Sequence, residues 1–178
     1  MQRAHSSRKD FEEIRKEFIA HWREAASSWG IPPAMASIHG LLLSHAKPVT
    51  TDDVMDALDI SRGSAHTQLQ GLVEWGLVYS LKVMGTRQVT FLAEKDPWQM
   101  MICIARERRK RELQPLLSLS DWSASWKDHC EEPNARGLAQ TLQAITDQAQ
   151  AVDAIMSRVL VEDERWWEQW FLRSLRRN

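Results

Sequence analysis

Between positions 61 and 70 the chain gathers Ser61, Arg62, Gly63, Ser64, Thr67 and Gln70. These residues offer hydrogen-bond donors and acceptors on short stems beside one long guanidinium. Such a set suits the edges of base pairs: Ser, Thr and Gln match donor and acceptor patterns in a major groove, and glycine lets the backbone come close. Arg62 adds a cation that can reach a phosphate or a guanine edge. Further along, Arg87 stands beside Gly85 and Thr86 in a turn, where a projecting cation can enter a narrow minor groove, and Lys82 just before it can meet a phosphate. Charge agrees with this reading. Residues 61–111 carry nine basic and four acidic groups, while both flanks are net acidic within a total of −1. A polyanion would therefore be met by the middle of the chain.

Catalysis finds no comparable support. The chain has no Gly-x-Ser-x-Gly, no Gly-x-x-x-x-Gly-Lys loop and no His-Glu-x-x-His, and its six histidines are scattered. Adjacent His129 and Cys130 are the closest approach to a metal site, but neighbours in sequence rarely face one ion. We therefore expect a non-enzyme with no metal and no cofactor.

Nine tryptophans are many for a helical core of this size. An indole face attracts quaternary ammonium groups more strongly than Tyr or Phe does, so clustered rings could cage a choline-like effector. Trp22, Trp29, Trp166 and Trp170 are the candidates, although their places on helical stripes suit plain packing as well.

The elements that must position these residues follow from periodicity. Phe11, Ile14, Phe18, Trp22, Ala25 and Trp29 form the apolar stripe of a first helix that Gly30 ends. Pro32 and Pro33 open a second helix through Met35, Ile38, Leu41 and Leu42, and Lys47-Pro48 closes it. Thr50 or Thr51 caps a third helix with Val54, Met55 and Leu58 inward. Ser61 caps a fourth, whose inward set Ala65, Leu69, Leu72 and Val73 aims Thr67 directly outward, with Gly63, Ser64, Gln70 and Gly71 around it. Residues 77–84 and 88–93 read as strands joined by a turn, so a helix-turn-helix is followed by a hairpin wing.

Asp96-Pro97 then starts a helix with Trp98, Met101, Ile102, Ala105, Leu113, Leu116 and Leu117 inward, kinked or ended at Pro115. Residues 118–134 read as an irregular connection. Beyond them Leu138, Leu142, Ile145, Ala149, Val152, Met156 and Val159 make a heptad seam that Trp166 and Trp170 could extend, which wants a partner along its length. That partner is either the first helix or, by preference, a second copy of the chain.

With 178 residues, a single domain with an appended element is expected. The fold class is mainly α: a winged helix-turn-helix with a two-stranded β-hairpin wing and long N- and C-terminal dimerisation helices. Its divisions are 8–30 for the N-terminal dimerisation helix, 31–96 for the DNA-binding region and 97–178 for a helical dimerisation and effector region. Two cysteines without Cys-x-x-Cys spacing fit a reducing compartment, and no apolar run approaches a membrane span. A soluble cytoplasmic protein with no membrane partner is expected.

Several motifs resemble one known family. Trp29-Gly30-Ile31-Pro32, Ile60-Ser61-Arg62-Gly63-Ser64, Leu72-Val73-Glu74-Trp75-Gly76-Leu77-Val78, Gly85-Thr86-Arg87 and Ala93-Glu94-Lys95-Asp96-Pro97-Trp98 resemble the GbsR-like branch of the MarR winged-helix transcriptional regulators, over roughly residues 11–112. Gln70 departs from the basic residue expected there. The resemblance implies a dimeric regulator of transcription that binds double-stranded DNA, and some relatives control choline or glycine betaine genes. The function expected is thus a homodimeric, ligand-responsive, sequence-specific DNA-binding repressor. The alternatives are a winged-helix protein-interaction module, which the modest pI of 6.6 would suit, and a thiol redox sensor built on Cys103 and Cys130.

Overall fold

The computed structural model describes residues 10–82, 85–86, 88–127, 129 and 132–161. Its elements run α1 (Phe11–Ser28), α2 (Pro33–Leu43), β1 (Val49–Thr50), α3 (Thr51–Leu58), α4 (Arg62–Glu74), β2 (Val78–Lys82), β3 (Val89–Ala93) and α5 (Pro97–Arg108). A π-helical turn (Arg109–Leu113), α6 (Gln114–Ala124) and α7 (Pro133–Val161) follow. Two compact units divide the chain after Ile104.

In the first unit the helix boundaries are set by capping chemistry. Asp10 accepts the Phe11 N–H at 2.7 Å. Thr50 and Asp53 form a reciprocal capping box, each side chain accepting the other's backbone N–H, at 3.1 and 2.9 Å. Those bonds from Thr50 hold the Asp53 carboxyl below its ordinary range. The end of α4 shows why glycine stands at 76. Its φ is +75°, the Gly76 N–H donates to Val73 and the Leu77 N–H to Leu72, both at 3.0 Å, and this crossed pair satisfies carbonyls that would otherwise be orphaned. A Cβ there would lie 3.1 Å from the buried Cys103 sulfur. Gly76→Ala is therefore expected to destabilise the chain by about 1–3 kcal/mol, left-handed strain plus the contact, measurable by urea unfolding.

The core of this unit is the apolar interior expected for α2 and α4: Met35, Ile38, Leu41, Leu42, Val54, Ala65, Leu69 and Leu72 are all buried. The wing differs from the two-stranded expectation. It is a three-stranded antiparallel sheet in the order β1-β3-β2, because Val49 and Thr50 pair with Phe91 and Thr90. Two residues preceding a helix cap carry too little alternation to read as a strand. After β3, Glu94 turns inward and is buried. Its carboxylate accepts the Lys95 and Asp96 N–H groups at 2.6 and 2.7 Å and the Tyr79 hydroxyl, while Asp96 caps α5 through the Trp98 and Gln99 N–H groups. Burial and the Glu94 bond push the Tyr79 hydroxyl above its ordinary range.

The first stripe is used differently from its reading as one packing face. Ala26 is buried and Ile19 and Trp22 pack on the core, whereas Phe11, Ile14 and Phe18 stay exposed. A helix between two partners shows a broad apolar arc in sequence, and nothing in the sequence marks which half is covered. In α5 the inward set also shifts: Gln99, Ile102, Cys103 and Ile104 are buried, while Trp98 and Met101 are exposed.

In the second unit, residues 118–124 are helical instead of irregular. Pro115 sits in the first turn of α6, where its missing N–H does least harm, and the π turn just before it absorbs the discontinuity. The serines that suggested a loop turn back on their own helix, Ser118 and Ser123 donating to Pro115 and Ser120 carbonyls. The α7 heptad splits. Leu142 and Ala149 are buried with Thr146 between them, while Leu138, Ile145 and Val152 are exposed. Arg109 clamps Asp153 of α7 by two bonds, at 2.6 and 2.9 Å, which hold the Asp153 carboxyl below its usual range.

Candidate nucleic-acid interface

α4 is positioned by its buried set, and its outer face follows from that. Arg62, Gly63, His66, Thr67, Gln70 and Glu74 are exposed, whereas Ser64, Gln68 and Gly71 are half-buried. The centre of the face therefore lies nearer Gly63 and Gln70 than Thr67. The cause is α2: a Cβ on Gly71 would meet Met35 Sδ at 3.4 Å, so Gly71 serves close packing and does not face outward. Ser64 likewise turns toward α1 and α2, lining a cleft with Ala20 and Ser37.

Ser61 is the N-cap, its hydroxyl accepting the Ser64 N–H at 3.3 Å. Arg62 reaches across to the first turn of α3 and pairs with Asp52 at 2.6 Å, both side chains about two-thirds exposed. A pair so solvated contributes about 0–1 kcal/mol, so a phosphate can compete for the guanidinium. Beside this pair a cleft of about 290 Å³ runs between α4 and the base of the wing, lined by Thr50, Asp52, Arg62, His66, Gln70 and Gln88 among others. His66 was missed in the sequence, though its spacing of four from both Arg62 and Gln70 places the three in one row on the helix.

The wing carries exposed Lys82 at the end of β2. Thr86 accepts the Gln88 N–H at 3.1 Å, and a Cβ added to Gly85, whose φ is +80°, would meet none of the described residues within 4 Å. Arg87 lies outside the described residues. Arg106 and Arg108–Arg111 belong to the second unit, where Arg108 pairs with Glu112 and Arg109 with Asp153. Lys95 donates to the His45 carbonyl at 2.6 Å. Among the described residues of α4 and the wing strands, the lysine and arginine side chains are Arg62 and Lys82, both exposed.

Trp22 and Trp29 do meet, edge to face at 5.9 Å. Trp22 is committed to packing, however. Its indole N–H donates to His39 Nδ1 at 3.3 Å, and its ring lies against α2, where a Cβ on Gly40 would sit 3.1 Å from it. Trp166 and Trp170 lie outside the described residues. Cys103 is buried with its thiol directed at the Gly76 carbonyl, and Cys130 lies outside the described residues. Among the described residues no group of three metal-ligating side chains occurs, and no helix is long and apolar enough to cross a membrane.

No family model matches the chain, and no curated protein matches it. Among solved structures, one described as the crystal structure of a transcriptional regulator superposes with a TM-score of 0.66 at 19% identity, covering 85% of this chain and 99% of that one. Identity that low speaks for the architecture alone: over 85% of its length this chain has the fold of that transcriptional regulator.

Proposed function

We propose that the chain is a homodimeric, sequence-specific DNA-binding regulator of transcription, a ligand-responsive repressor of the GbsR-like MarR type acting in the cytoplasm and not an enzyme. The observation that carries the reading is the outer face of α4, polar or bare backbone throughout and flanked by the wing. Duplex DNA is the partner such a face fits: Gln70, His66 and Thr67 toward base edges, Arg62 and Lys82 toward phosphates, Arg87 toward the minor groove. The exposed halves of the α1 and α7 stripes support the dimer, since Phe11, Phe18, Ile145 and Val152 are exposed among the described residues. A quaternary ammonium effector would lie against Trp29, whose ring is exposed.

Selection from a random duplex pool tests this. The expected product is an inverted repeat with half-sites about 10 bp apart, one per protomer. Gln70→Ala should relax one base position and cost about 1–3 kcal/mol there. No enrichment at low salt would overturn the reading. That result would favour a protein-interaction module, to which the acids Asp52 and Glu74 on the same surface are better suited.

A further inference from the structure

The second unit holds a cleft of about 350 Å³ where α6 gives way to α7, lined by Trp122, Trp126, Glu132, Asn134, Ala135 and Leu138. Local backbone bonds build its aromatic wall. Past the end of α6 the Ser125 N–H donates to the Trp122 carbonyl and the Trp126 N–H to the Ser123 carbonyl, at 3.2 and 3.3 Å. The chain therefore keeps winding, and Trp126 comes round one turn after Trp122. The two indoles meet at 5.5 Å with their planes 67° apart, a corner and not a parallel slot. Trp122 and Leu138 are exposed. The Trp126 indole nitrogen is buried, so that ring offers the cleft its carbon surface and no donor. The polar side consists of acceptors. One Glu132 carboxylate oxygen accepts the Asn134 amide N–H at 2.9 Å, and among the described residues Glu132 forms no ion pair. With its nitrogen so engaged, Asn134 keeps its amide oxygen as a second acceptor. No lysine or arginine is among the described residues that line the cleft. The C-terminal end of α6 and the N-terminal end of α7 meet here, and their opposite dipole ends offset each other, which leaves Glu132 as the net charge.

We propose that this cleft binds a primary alkylammonium ion, its head donating to Glu132 and Asn134 and its alkyl body laid on Trp122, Trp126 and Leu138. Each wall selects for part of that ligand. Indole faces attract a cation and repel an anion, and a lone carboxylate beside them acts in the same direction. Two perpendicular rings leave a flat heteroaromatic group stacked on one side only, whereas a compact head fits their corner. The opposite wall decides which cation. Glu132 and Asn134 present acceptors, which three ammonium N–H groups satisfy and a quaternary nitrogen, having no N–H, does not. With one carboxylate in the cleft, a monoamine matches it in charge, and the volume lies in the range of small-molecule sites. The ligand differs in class from a quaternary ammonium compound and the cleft shares no residue with the Trp29 surface, so this is a separate site.

Calorimetric titration of the full chain at pH 7 tests the site without any DNA, so its outcome is independent of the DNA-binding reading. Hexylamine, protonated at that pH, is expected to bind saturably. Hexyltrimethylammonium, with the same body and no N–H, should bind at least about fivefold more weakly, and hexanoate should not bind. Glu132→Gln should weaken hexylamine about tenfold and Trp122→Leu about fivefold. Both variants should keep the unliganded thermal midpoint, because both side chains are exposed. A free amine and the lysine side chain of a partner carry the same head group. Tighter binding of hexylamine than of Nα-acetyl-lysine methylamide assigns the site to a free amine, and the reverse order assigns it to a lysine. Hexyltrimethylammonium or hexanoate binding as tightly as hexylamine, binding undiminished in Glu132→Gln, or no saturation at millimolar hexylamine would each overturn the proposal.

Discussion

Raising salt from about 50 to 200 mM is expected to weaken binding of the chain to duplex DNA about 10³-fold. The estimate rests on three cations per protomer, Arg62, Lys82 and Arg87, hence six phosphates neutralised by a dimer and six counterions released. Lys95 does not enter, being spent on the His45 carbonyl, and Arg108 and Arg109 are paired with Glu112 and Asp153. Lys82→Ala should reduce affinity for all sequences alike and flatten the salt slope by about one per site removed. Asp52→Asn should act in the opposite direction. It releases Arg62 from its 2.6 Å partner and removes a negative charge from a surface that phosphates approach, so binding should strengthen several-fold. Fluorescence anisotropy on a labelled duplex at several salt concentrations measures all three. A salt-independent affinity, or an Asp52→Asn variant that binds more weakly, would exclude this arrangement of charges.

The second large effect is expected in stability at acid pH. His39 is fully buried on α2, with Nδ1 accepting from the Trp22 indole and Nε2 without a hydrogen-bond partner among the described residues. With Nδ1 an acceptor, the neutral ring carries its proton on Nε2. Burial holds its pKa down from 6.5 to about 4. The unfolded chain therefore takes up a proton on His39 at higher pH than the folded chain does. This stabilisation is complete above about pH 6.5 and is lost as pH falls toward 4, a difference of about 3 kcal/mol. Denaturant midpoints at pH 7, 5.5 and 4.5 measure it. His39→Gln keeps a side-chain acceptor within reach of Trp22 but cannot titrate, so its stability should fall much less over that interval. Parallel pH profiles for the two proteins would show that His39 does not set the slope. Asp53 and Asp153, both with depressed pKa values, add losses of the same sign at lower pH, where the variant retains them.

The order of elements from α1 through the wing was legible because each boundary is a local chemical event. Thr50 and Ser61 offer side-chain oxygens to free N–H groups, Gly30 and Gly76 accept positive φ, and the inward positions of α2 and α4 repeat with the helical period. Residues 118–124 misled for the converse reason. Their serines can bond either to a turn or to the preceding helical carbonyl, and only the packing of α6 on α7 selects the helix. Which half of an apolar stripe is covered was equally closed to sequence. Phe18 and Ile19 are both apolar neighbours on α1, and Ile19 meets the core while Phe18 does not, because the placement of α2 decides it.

The same division runs through the candidate interface. The residue types that suit a nucleic acid, and their place on one short helix, are properties of the sequence, since spacing along a helix fixes angle around it. The direction of the outward face is not, because Gly71 and Ser64 are turned from it by Met35 and α1, partners thirty or more residues away in the chain. Arg62 shows the limit most clearly. Sequence supplies its guanidinium at the start of α4, but only the tertiary fold brings Asp52 to within 2.6 Å of it, and charge at a surface is the sum over whatever the fold sets side by side.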